Sequence, residues 1–225
     1  MTSDTSQRRS RGLLRLLVPL LGSEGMELLV FVIRLAQRTL KFKTHEGMYE
    51  VLAYHARLEL LDGAGEKAVL HKRQRVRFRQ DNIIAYQDRA WGDGDFIADY
   101  QCSPGVRVDT YREGHRTNIL ISLRETKHAG DIEAFRIERT IRNGFTRASE
   151  DFQIEIDHRT RDFAMSVVFP RQRPPRQVSL IEQNSTRSQV LGPENLIELA
   201  DGRCEVSWHT ARPRVFEAYI LRWTW

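Results

Sequence analysis

The sequence predicts a mainly β protein, an antiparallel β-sandwich or barrel preceded by a short N-terminal helical hairpin. Three observations predict it. From about residue 47 onward, apolar and polar residues alternate with a period of two in runs bounded by Gly, Asn, Asp and Pro. Before residue 47 the apolar residues recur at helical spacing, in two stretches separated by Gly22, Ser23 and Gly25. Few helical patterns interrupt the β part, and an all-β chain of this length closes as a sandwich or barrel to limit its exposed edges.

Residues 1–9 are polar and form a flexible end. Residues 10–46 form a basic, apolar arm. Its first helix carries Leu13, Leu14, Leu16, Leu17 and Val18, with Arg11 and Arg15 four apart, and stops near Pro19, which cannot continue a helix interior. Ser23 is placed to cap a second helix from about Glu24 to Phe42, whose first-turn acids and last-turn Lys41 and Lys43 match the helix dipole. Most of its remaining surface is apolar, so it has to bury much of its circumference.

Arg11, Leu13, Leu17, Leu28, Phe31 and Arg38 are therefore the expected docking residues, and residues 10–43 are expected to lie on a partner protein or an anionic membrane surface. The longest unbroken apolar run of the second helix, Leu28 to Ile33, is far shorter than the roughly 20 residues of a membrane span. Arg15 interrupts the only stretch that resembles a signal peptide. The expected location is cytoplasmic, peripheral to a membrane where the arm docks on lipid.

Residues 47–225 form the β domain. Strands are predicted over 50–61, 67–80, 83–88, 96–101, 118–124, 132–142, 152–159, 163–169, 177–183, 188–191, 204–208 and 215–225. Asp62-Gly63-Ala64-Gly65 and Asn143-Gly144 supply turns between them. The last strand places Val215, Tyr219, Leu221, Trp223 and Trp225 on one face, broken only by Glu217, and so belongs to the core.

The formal net charge of +5 raises a nucleic-acid reading, and its location argues against one. Residues 1–49 hold eight bases against four acids, leaving 27 bases and 26 acids in the rest of the chain. A nearly neutral β domain makes duplex nucleic acid an unfavourable partner. Cys102 and Cys204 do not have zinc-site spacing, and the seven histidines form no metal-protease pair, so no metal or cofactor is expected.

One strand stands out as a ligand-binding candidate. Period two puts Arg73, Arg75, Arg77 and Arg79 on one face and Lys72, Gln74, Val76 and Phe78 on the other. Four guanidinium groups in a row suit a phosphate-containing ligand, a nucleotide included, unless carboxylates oppose them across the sheet, for which Glu155 and Asp157 are the candidates. Three further stretches have bland readings. The Asp88–Asp95 segment suits a tight turn better than a calcium loop. Pro170–Arg176 reads as a solvated connection. His55 and His158 lie on strands that can meet. No nucleophile-elbow serine is present, so a loop-built hydrolase or nuclease site is the alternative to the leading expectation. That expectation is a non-enzymatic module whose arm docks while its β domain binds a ligand or second protein.

Overall fold

The computed structural model describes residues 48–225. They are mainly β, as the alternating pattern predicts. The arm, with Arg11, Leu13, Leu17, Leu28, Phe31 and Arg38, lies outside the described residues.

β1 (Tyr49–Leu60) and β2 (Lys67–Phe78) make a long hairpin across the predicted turn. The Asp62 carboxylate accepts the backbone N–H of Glu66 at 3.0 Å and of Lys67 at 2.8 Å, which closes that turn. Gly65 sits at φ +75°, and a Cβ there would stand 1.8 Å from the Phe145 carbonyl oxygen, so the turn requires glycine.

The chain continues through β3 (Ile83–Ala90), β4 (Asp95–Ser103), β5 (Val106–Glu113), β6 (Arg116–Lys127), β7 (Ile132–Arg142), β8 (Ser149–Glu155) and β9 (Phe163–Phe169). It ends with β10 (Gln177–Glu182), β11 (Arg187–Val190), β12 (Leu196–Glu198), β13 (Cys204–Thr210) and β14 (Ala218–Thr224). Three sheets result: a seven-stranded sheet in the order β12-β13-β9-β1-β2-β7-β4, a four-stranded sheet β11-β10-β14-β8 and a three-stranded sheet β3-β6-β5.

Two strands have no counterpart in the sequence expectation. β5 is exposed along nearly its whole length at a sheet edge, so it needs no apolar stripe and shows none. β12 has three exposed residues. The expectation of antiparallel pairing throughout is also corrected. β1 and β9 pair in parallel, from Tyr54 opposite Phe163 to Glu59 opposite Val168. Parallel neighbours cannot be joined by a tight hairpin, and here everything from β2 to β8 serves as the connection, which local periodicity does not register.

The seven-stranded sheet meets both smaller sheets through aromatic contacts. Phe163 packs on Tyr219 with centroids 5.3 Å apart, Phe169 on Trp223 at 5.5 Å, and Phe135 stacks on Tyr86 at 3.9 Å. In β14, Tyr219, Leu221 and Trp223 are buried, as the sequence predicts. Glu217, the break in that face, is buried too; its carboxylate accepts the Asn184 backbone N–H at 2.6 Å and the Ser185 hydroxyl.

A polar island interrupts this core. Lys72 and Asp88 are 7% and 1% exposed, and the ammonium donates to one carboxylate oxygen while the Tyr100 hydroxyl donates to the other at 3.1 Å. Burial pulls the Lys72 ammonium down, and Asp88 and Tyr54 override it, so that its pKa is raised. Arg139 of β7 points into the same interior. Cys102 and Cys204 are free thiols.

Candidate functional site

β2 alternates as its sequence requires. Ala68, Leu70, Lys72, Val76 and Phe78 are buried, while Arg73 and Arg75 are exposed on the outer face of the seven-stranded sheet. Arg77 is half-buried, and Arg79 follows the last residue of the strand.

The four arginines divide into two pairs with different surroundings. Arg77 and Arg79 both bond to Glu50 of β1, Arg77 at 3.4 Å, and Arg161 joins them at 2.7 Å. The expected partners are engaged elsewhere: Glu155 with Arg116, and Asp157 with Arg89 at 2.6 Å. This corrects the expected cross-strand pairing. Its physical reason is the hairpin register, which sets Glu50 directly opposite Arg77. The turn at 62–65 alone would set Phe78 opposite Glu50; a register shift between Val51 and Ala53 brings Arg77 there instead, and that irregularity has no sequence signal.

Glu50 is 2% exposed, and the Arg79 hydrogen bond, working against burial, holds its carboxyl below the ordinary 4.5. Because the folded pKa is the lower one, its stabilisation is complete above the ordinary value and is lost as pH falls through the folded value. Glu50→Gln is expected to cost about 2–3 kcal/mol at neutral pH, the range of a charge-assisted hydrogen-bond cluster. Urea titrations at pH 7 and pH 3 check it, and the gap between variant and wild type should narrow at the lower pH.

Arg73 and Arg75 have no carboxylate partner among the described residues. The register places Arg73 between His55 of β1 and Arg136 of β7, and Arg75 between Ala53 and Ala134. Arg136 also has no acid partner among the described residues. Like charges directly opposite one another are destabilising, so this patch of Arg73, Arg75 and Arg136 is costly unless an anion joins it. Arg136 was not legible beforehand, because nothing local specifies how β7 aligns on β2.

Beside the patch runs an open groove of about 440 Å³. Its floor is Ala164 and Ser166 of β9, whose small side chains leave space between the longer residues of β1 and β13. At one end Asp162 accepts from His209 Nε2 at 2.6 Å and from His55 Nε2 at 3.3 Å. The His209 bond is the main cause of a lowered Asp162 pKa. At the other end Glu59 and Glu205 are held by arginines, with Arg203 at 3.1 Å from Glu59 and Arg57 at 3.2 Å from Glu205. The acids in and around the groove are thus engaged, and the cationic patch beside it is not.

The remaining candidates resolve as follows. His55 faces Asp162, whereas the His158 ring lies 4.3 Å from that of Tyr49, so the two histidines have different partners. The acids around Trp91 do not converge: Asp88 is in the core, and Asp93 pairs with Arg147 at 2.7 Å. Among the described residues no group of three or more His, Cys, Asp or Glu is arranged to hold a metal ion, and no helix is long and apolar enough to cross a membrane. In the 170–176 connection Arg173 is tied down, with its guanidinium 4.0 Å from the Trp225 ring centre and its Nη1 donating to the Gly63 carbonyl at 3.1 Å.

No protein-family model matches this chain, and no curated protein does. Among solved structures the chain is similar to the M1 zinc metallopeptidase from Deinococcus radiodurans, with a TM-score of 0.46 and 11% identity over 77% of this chain and 42% of that one. A point mutant of the same enzyme gives a TM-score of 0.45 and 12% identity over the same shares. The chain thus spans well under half the length of these structures, and no residue role is carried over from them.

Proposed function

We propose that this chain is a non-enzymatic binding module. Its β domain holds an anionic, phosphate-bearing ligand on the outer face of the seven-stranded sheet, and residues 10–43 dock on a partner protein or an anionic membrane surface. The observation that carries the first half is the juxtaposition of Arg73 with Arg136 across β2 and β7, with Arg75 beside them, none of the three in an ion pair with a carboxylate of the described residues and the nearby Glu138 turned to His71. Guanidinium groups on a rigid sheet are suited to phosphate oxygens, and a site already built into strands costs little to order on binding.

The double variant Arg73→Glu and Arg75→Glu tests it. Both side chains are exposed, so stability should change little beyond about 0.5 kcal/mol per site. Binding of ATP, used as a generic polyphosphate probe, should fall by more than about tenfold at low ionic strength, and wild-type binding should weaken steeply as salt is added. Equal affinity in the variant and the wild type removes the reading. For the second half, flotation with anionic liposomes should separate the full chain from one lacking residues 1–43. Identical behaviour of the two removes the membrane branch.

A hydrolytic reading has one observation behind it. His55, Asp162 and His209 bring two imidazoles and a carboxylate together at the groove end. Histidines positioned by a carboxylate suit general acid–base work. Phosphoester or peptide turnover that is abolished by His209→Ala would promote it over the binding module.

A further inference from the structure

A second cavity, of about 220 Å³, lies on the other side of the seven-stranded sheet, between it and β8. Leu70, Trp91, Phe96, Ile141, Phe145 and Phe152 supply the apolar part of a wall that is otherwise polar and charged. The charged groups on its wall are accounted for, with one exception. Asp93 pairs with Arg147 at 2.7 Å, Asp151 pairs with Arg222 at 3.2 Å, and Glu150 accepts the Arg147 backbone N–H at 2.5 Å. Burial also pushes the Glu150 carboxyl up, toward its neutral form.

The exception is Arg139. It is 7% exposed, and its Nε and Nη1 are buried with no hydrogen-bond acceptor. Asp88, a carboxylate of the same interior, has both oxygens occupied, by Lys72 and Tyr100. Lys72 and Arg139 thus bring two positive charges to one negative charge in a medium where an unpaired ion is expensive. Burial pulls the Arg139 guanidinium down from its ordinary value, while an arginine stays charged in practice.

We infer that this cavity binds a small carboxylate with an apolar body, the carboxylate lying on Arg139 and the body lying among Trp91, Phe96 and Phe152. Size supports that chemistry. About 150 Å³ is enough to hold a benzene ring, and this partly open cavity, with its mixed apolar and charged wall, has room for such a ring and one charged substituent. The carboxylate supplies the counter-charge that Arg139 lacks, at the strength typical of a charge-assisted contact. The cavity is separate from the outer face, and neither reading depends on the other.

The test uses the full chain with sodium benzoate as probe and benzyl alcohol as its neutral counterpart of similar shape. Benzoate should raise the melting temperature saturably, by about 5–10 °C at a hundredfold excess over its Kd, while benzyl alcohol should shift it far less. Arg139→Met, which keeps the volume and removes the charge, should fold and no longer respond to benzoate. Equal shifts from the two compounds, a response that survives in Arg139→Met, or no shift from benzoate, phenylacetate or isovalerate would each overturn the inference. Should Arg139→Met fail to fold, the wild-type comparison of charged with neutral probe decides alone.

Discussion

Asp88→Asn is expected to destabilise the β domain by about 3–5 kcal/mol, the cost of breaking a buried ion pair by removing one partner. The carboxylate is fully enclosed, with the Lys72 ammonium on one oxygen and the Tyr100 hydroxyl on the other. Asparagine preserves shape and some hydrogen bonding but leaves Lys72 and Arg139 as two buried cations without a counter-charge. Against a total stability of about 5–15 kcal/mol, that loss takes a large share of the folded population's margin. The double variant Lys72→Met and Asp88→Asn should recover much of it, because the ion pair then disappears as a unit. Chemical denaturation of wild type, both single variants and the double variant measures the coupling. A loss below about 1 kcal/mol for Asp88→Asn would show that water already reaches the island.

The second large effect is expected at the last strand. Trp223 is 1% exposed and touches Phe145, Phe169 and Trp225 with ring centroids 5.7, 5.5 and 6.0 Å away. Trp223→Ala should cost about 3–5 kcal/mol through lost burial and the cavity left behind. Removal of Trp223–Trp225 should cost more, since Trp225 also packs on Phe169 and anchors Arg173. Trp223→Phe should be much milder. The indole N–H is buried without an acceptor among the described residues, so phenylalanine removes an unsatisfied donor along with part of the ring. A melting temperature unchanged by the truncation would refute the placement of this strand in the core.

These residues also show what the sequence discloses and where it stops. The inward face of β14 follows from alternation alone, and so does the exposure of Arg73 and Arg75, because the side-chain period of a strand is a local property. Hairpin partners are nearly local: the turn at 62–65 fixes the pairing from Leu60 opposite Ala68 to Ala53 opposite Arg75, and only beyond the register shift does Glu50 meet Arg77. What is not local is which strand lies beside which hairpin. Arg136 comes opposite Arg73, and Arg139 comes within the electrostatic influence of Asp88, only once β7 has been laid on β2 and β3 folded over them. Neither the outer cationic patch nor the unpaired interior arginine has a signature in residue spacing. Lys72 illustrates the same limit from the other side. Its inward orientation was legible, but a lone lysine on an apolar face does not announce the aspartate that makes it tolerable.

The parallel contact between β1 and β9 bears on how the domain is made. The first described strand occupies the middle of the largest sheet, yet one of its two neighbours, β9, is synthesised only after the seven strands β2 to β8. A nascent chain on the ribosome therefore carries a hairpin with one ladder edge unpaired until Phe163–Phe169 arrives, and closure of that edge is a long-range, entropically slow event. Until then that edge is open to pairing with a neighbouring chain, so refolding yield is expected to rise on dilution.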